Sequence, residues 1–114
     1  MAVLTISSSL ERDQKMKRYV NTVFRGVGTI TKVSHHPSGH TFFVVEKIVG
    51  TTCGQTLQID HLSLGRFNWH RFDGSFIDVG VRVEFEGIIR PYARSSRTFN
   101  AIGLPRIDWA KPAE

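Results

Sequence analysis

Cysteine occurs once in the 114 residues, at Cys53, so no disulfide can close within the chain, and a reducing, cytoplasmic setting is expected. The same scarcity argues against structural zinc, whose ligands come as close-spaced Cys or His pairs. Cys53 has no CxxC partner, and His35-His36 lacks helical spacing, so no metal or other cofactor is expected. No apolar run is long enough to cross a bilayer, and Met1 to Leu10 has no basic stretch ahead of an apolar core, so neither a membrane span nor a leader is expected. Glycine-rich phosphate loops and nucleophile elbows are missing. A histidine nuclease would need an acid and a base flanking a phosphate. His36, His40 and His61 have no spacing specific to that chemistry, and the chain reads as a non-enzyme.

Acidic residues are the minority, ten against 15 Lys and Arg, leaving a net charge of +5. Such a surface favours anionic partners, nucleic acid first. The length suits one domain with its own core. Residues 1–20 read as an N-terminal arm or short helix, 21–108 as the folded body and 109–114 as a C-terminal tail.

What is present is mostly β-pattern. Ala2 to Ile6 is β-prone, and Ser8 and Glu11 have the spacing of a capping box for a brief helix to about Tyr19, a segment whose Lys15, Lys17 and Arg18 equally suit a flexible basic arm. Val23 to Val33 is a long strand whose Gly26 and Gly28 mark a bend or bulge. His35 to Gly39 is a turn, and His40 to Val49 forms the second arm of a hairpin. Gly50 to Gly54 is another turn before a short strand, Thr56 to Asp60. From His61 to Asp78 no period is visible, and a long connection is expected between the third and fourth strands. Gly80 to Ile89 then alternates strictly, with Val81, Val83, Phe85 and Ile89 on one face and Arg82, Glu84, Glu86 and Arg90 on the other. It leads into an arginine-rich loop, and Thr98 to Leu104 can return as the antiparallel partner. Five β segments with little helix indicate a small all-β barrel.

Gly28-Thr29-Ile30, Ser38-Gly39-His40-Thr41-Phe42-Phe43, His61-Leu62-Ser63, Val79 to Phe85 and Asn100-Ala101-Ile102 together resemble, in order, the motifs of cold-shock domains within the OB-fold class. The resemblance spans about residues 24 to 104 and implies a five-stranded OB-fold-like barrel with a surface for nucleic acid at His40, Phe42 and His61. This chain has Lys32 and His40 where the family presents aromatics, and Ile59 where a phenylalanine is usual. That thins the RNA-type stacking surface and tilts the expectation toward DNA.

Barrels of this kind track phosphates with cations and stack bases on aromatic faces. The residues expected to hold phosphates are Lys32, Arg66, Arg71, Arg82, Arg90, Arg94 and Arg97, with stacking by Phe42, Trp69 and Tyr92. Phe42 and Phe43 are adjacent on a strand and must face opposite ways, Phe42 being the surface candidate. Trp109 reads as a packing anchor for the tail. The leading expectation is a single-stranded nucleic-acid-binding protein, DNA before RNA, with little sequence preference. The alternative is an OB-fold interaction module docking on a larger replication, repair or secretion complex. Either leaves room for a protein partner or a homo-oligomer.

Overall fold

A computed structural model describes residues 3–6, 16–35, 37, 40–68, 75–93, 100–104 and 107–113. Apart from one turn of 3-10 helix, Lys17–Tyr19, its elements are strands. They are β1 (Val3–Ile6), β2 (Val23–His35), β3 (His40–Thr52), β4 (Gln55–Asn68), β5 (Arg82–Ile88), β6 (Arg90–Ala93), β7 (Asn100–Gly103) and β8 (Ile107–Pro112). The chain is all-β, as its alternation predicts.

One six-stranded sheet has the order β1-β4-β3-β2-β5-β8, and β6 and β7 form a separate hairpin. Strands β4, β3, β2, β5 and β8 are antiparallel to their neighbours, whereas β1 joins β4 in parallel. The sheet differs from the expected barrel in that its hydrogen-bonded ladder does not close. β4 and β8 approach each other without pairing, and β1 occupies the edge of β4 from Thr56 to Ile59. The final sheet strand is β8 rather than the segment around Asn100-Ala101-Ile102, so the tail expected from residue 109 is paired with β5 as far as Pro112.

The core lies on one face. Phe24, Ile30, Phe43, Val45, Ile48, Leu57, Ile59, Leu62, Leu64, Val83 and Phe85 are each at most 2% exposed, and burial of such side chains contributes about 1.5–3 kcal/mol apiece. Gly26 lies opposite both Gly50 of β3 and Phe85 of β5. The paired glycines form a slot for the Phe24 ring. A Cβ on Gly26 would stand 2.6 Å from that ring, and one on Gly50 would stand closer still. The expected irregularity of β2 is present as register shifts between Val27 and Thr29 and between Ile30 and Lys32.

A second irregularity corrects the expected connection after Asp60. In β3 the buried positions run Phe43, Val45 and then Ile48, and in β4 they run Leu57, Ile59 and then Leu62 and Leu64. The phase slips at Glu46-Lys47 on one strand and at Asp60-His61 on the other, so each sends two successive residues outward. The slip hides the period beyond His61, yet residues 61–68 continue as the second half of β4 along β3. Lys47 adopts φ of 54°, the left-handed region that lets a strand turn this corner. The β3–β4 turn is also tighter than the sequence suggests. Cys53 (φ 49°) and Gly54 (φ 73°) carry it, both positive as a two-residue hairpin requires.

At the N-terminal side the helix expected through Tyr19 falls largely on residues outside those described. Its last turn is docked rather than free, since Met16 and Tyr19 are buried, at 0% and 9% exposure. Thr22 donates to the Tyr19 carbonyl (2.6 Å), and its hydroxyl is 2.7 Å from that of Thr52.

Candidate nucleic-acid interface

With the core on one face, the other face of the sheet carries the polar residues, and cross-strand register decides which of them meet. Thr29 lies opposite Arg82 of β5 and opposite Glu46 of β3, and Glu46 lies opposite His61 of β4. These four make one row across four strands, about 14–15 Å long at ordinary strand spacing. The next row is Lys32, Val44 and Ser63, and beyond it Ser34 lies opposite Phe42. Lys32, Phe42, His61 and Arg82, scattered in sequence, therefore share one surface.

Each position follows from local chemistry. Phe42 stands outward because Thr41 and Phe43 on either side point in, and it is 38% exposed, a large aromatic face left in solvent. Thr41 is buried and close to the His35 imidazole, with Nδ1 3.2 Å from its hydroxyl, which braces the hairpin beside Phe42. Lys32 and Arg82 are exposed and make no ion pair with another described residue. His61 lies half-exposed with Nδ1 3.6 Å from the Asp60 carboxylate.

Other expected positions are not brought together with these. Arg90 is exposed on β6 opposite Gly103, beyond the far end of β5 from Arg82, a separation of about 25 Å if the intervening chain is extended. Asn100 to Gly103 returns as an antiparallel strand, but its partner is Arg90 to Ala93, which the sequence reading placed in the loop. The expected partner, the strand ending at Ile88, pairs with β2 and β8 instead. His40, Arg66 and Tyr92 are placed by backbone alone: His40 opposite Asn68, Arg66 beside the register shift that faces Phe42, and Tyr92 opposite Ala101. Trp69, Arg71, Arg94 and Arg97 lie outside the described residues.

Two features escaped the sequence reading. Lys47 is turned outward at the corner next to the Glu46–His61 row, and the spacing of three between Val45 and Ile48 was its signal. The second is a cluster on β2, β5 and β8. Arg25 donates to Glu84 Oε1 through Nε (2.9 Å) and Nη2 (2.7 Å), and Lys111 is 3.7 Å from the other oxygen. The hydrogen bond from Arg25 holds the Glu84 carboxyl below its ordinary pKa; burial opposes it, and the charges of Arg25 and Lys111 add to the lowering. Trp109 donates to Glu86 Oε2 (3.0 Å), with Arg25 and Lys111 at 5.2 and 5.5 Å from its ring centre. Such contacts fit a packing anchor, since both cations and the indole N–H are already engaged.

Among the described residues no three His, Cys, Asp or Glu side chains converge as a metal site, and no helix is long and apolar enough to cross a membrane. What the surface offers is positive charge without an ion-pair partner among the described residues, an exposed aromatic ring and hydrogen-bonding side chains, along three adjacent rows. No protein-family model and no curated protein sequence matches the chain.

Proposed function

We propose that the chain binds single-stranded nucleic acid, DNA in preference to RNA, across the outer face of β5, β2, β3 and the second half of β4. The observation that carries this reading is the register that gathers Lys32, Arg82, Phe42 and His61 on one face. Cations there would follow the phosphates, Phe42 would stack on a base, and Thr29, Ser34 and Ser63 offer hydroxyls to base or sugar edges. The adjoining Lys47 adds a further charge.

The strand order supports an OB-type reading of the fold. A meander of β2, β3 and β4 receives β5 beside its first strand and β8 beyond, with β8 coming near β4. In that class the face of the second and third strands is where oligonucleotides lie, which here is the face bearing Phe42 and His61. A cytoplasmic setting belongs to the same proposal, with Cys53 exposed and unbonded.

Fluorescence anisotropy with labelled single-stranded and duplex oligonucleotides at two salt concentrations tests it. Single strands should bind more tightly, and affinity should fall with salt at a slope of about −0.7 per phosphate contact. Equal affinity for duplex would remove the stacking mechanism. Absence of binding at low salt would leave the protein-docking reading, which predicts little salt dependence.

A further inference from the structure

One group on the proposed binding face does not fit a surface that only follows phosphates. Glu46 stands inside the row Arg82, Thr29, Glu46, His61, with β2 and β5 on one side of it and β4 on the other. It is half-buried, and its carboxylate makes no ion pair or hydrogen bond with another described residue. Glu84 and Glu86, on the outer face of β5, are by contrast engaged, the first by Arg25 and Lys111 and the second by Trp109. Arg82, the cation of the same row, lies two strands from Glu46, about 9–10 Å between Cα positions. The carboxylate is therefore left available in the middle of a face otherwise suited to a polyanion.

Resting on the single-strand reading, we propose that Glu46 selects a base in the bound strand, and that the base is guanine. An ionised carboxylate only accepts hydrogen bonds. It repels phosphates, which are drawn to Arg82, Lys32 and Lys47 around it, and it attracts the donor edge of an unpaired base. Guanine alone presents two donors side by side on its Watson–Crick edge, N1–H and the N2 amino group, which match the two carboxylate oxygens as a guanidinium fork does. On adenine and cytosine the amino group sits beside a bare ring nitrogen, and on thymine N3–H lies between two carbonyls. In each of these the second carboxylate oxygen would meet an acceptor. Thr29, directly opposite Glu46 and half-buried, has a hydroxyl that can donate to guanine O6. Phe42 lies four residues back along β3, about 13 Å away, so stacking and selection fall on different nucleotides.

Fluorescence anisotropy with the full chain tests this on three labelled strands: oligo(dT), the same strand carrying isolated guanines, and that strand with inosine, which lacks the N2 amino group, in place of guanine. The guanine strand should bind about tenfold more tightly than oligo(dT), in the range of one bidentate base contact, with the inosine strand in between. Glu46→Gln should abolish the preference from both sides, tightening oligo(dT) by removing a repelling charge and weakening the guanine strand. Its melting temperature should stay near that of wild type, since the side chain has no polar partner among the described residues. If the variant folds poorly, the inosine comparison on the unaltered protein decides the same point. Equal affinity for the guanine and thymine strands would overturn the selection and leave single-strand binding standing. So would a preference that survives Glu46→Gln, or inosine that binds as tightly as guanine. Binding to none of the strands would overturn the single-strand reading and this inference with it.

Discussion

At the scale of single residues, Phe42 in the candidate interface and the separate cluster on Glu84 each carry a prediction. Phe42→Ala should cost about 1–3 kcal/mol of binding free energy if a base stacks there, with little loss of fold stability because the ring is already partly in solvent. Anisotropy paired with thermal melts checks both halves of that statement, and a large fall in melting temperature would make Phe42 structural. Glu84 yields a pH prediction whose sign is set by its lowered pKa. A carboxylate stabilised in the fold contributes its stability above the ordinary value, 4.5, and loses it as pH falls through the lower folded value. Wild type should therefore melt higher than Glu84→Gln at neutral pH, with the gap closing only in acid below that range. Because the group reaches solvent, the gap should be small.

At the scale of elements, the two phase slips and the glycine slot do different work. Lys47 holds a left-handed conformation that costs a non-glycine residue about 1 kcal/mol or more. Lys47→Gly should consequently hold or slightly raise stability while weakening nucleic-acid binding and flattening its salt slope by about 0.7, one phosphate contact. Urea unfolding beside salt-dependent anisotropy separates the two effects, and an unchanged slope would remove Lys47 from the interface. Gly50→Ala acts in the opposite sense, forcing a methyl into the Phe24 ring. Overpacking of this kind costs about 1–3 kcal/mol, which should appear as a lower urea midpoint with binding per folded molecule retained. Gly26 and Gly28 carried a legible signal of irregularity in β2, but the role of Gly26 as a floor for Phe24 depends on Gly50, which sequence reading placed in a turn.

At the scale of the whole molecule, β1 decides how the sheet ends. It covers the β4 edge at Thr56 to Ile59, and an uncovered edge of that kind is a template for pairing with other chains. Removing residues 1–6 should lower the melting temperature and increase concentration-dependent association, measured by light scattering during the melt. If the truncated chain melts like wild type and stays dispersed, β1 is not protecting that edge.

Alternation is a property of neighbouring residues, and wherever it is unbroken the sequence by itself determined the outcome. Arg82, Glu84 and Glu86 face away from Val83 and Phe85 as read, and Phe42 and Phe43 divide between surface and core. The same alternation sufficed to identify an all-β chain, and composition its net positive charge. Three matters were decided only by tertiary structure: that residues 61–68 are strand, that Arg82, Thr29, Glu46 and His61 form one row, and that Arg90 stands away from it. Each depends on which residue of one strand lies opposite which residue of another. That register is set by core packing among residues far apart in the chain, and by slips at Lys47 and Asp60-His61, which a spacing of three between apolar residues marks without saying which strands they align.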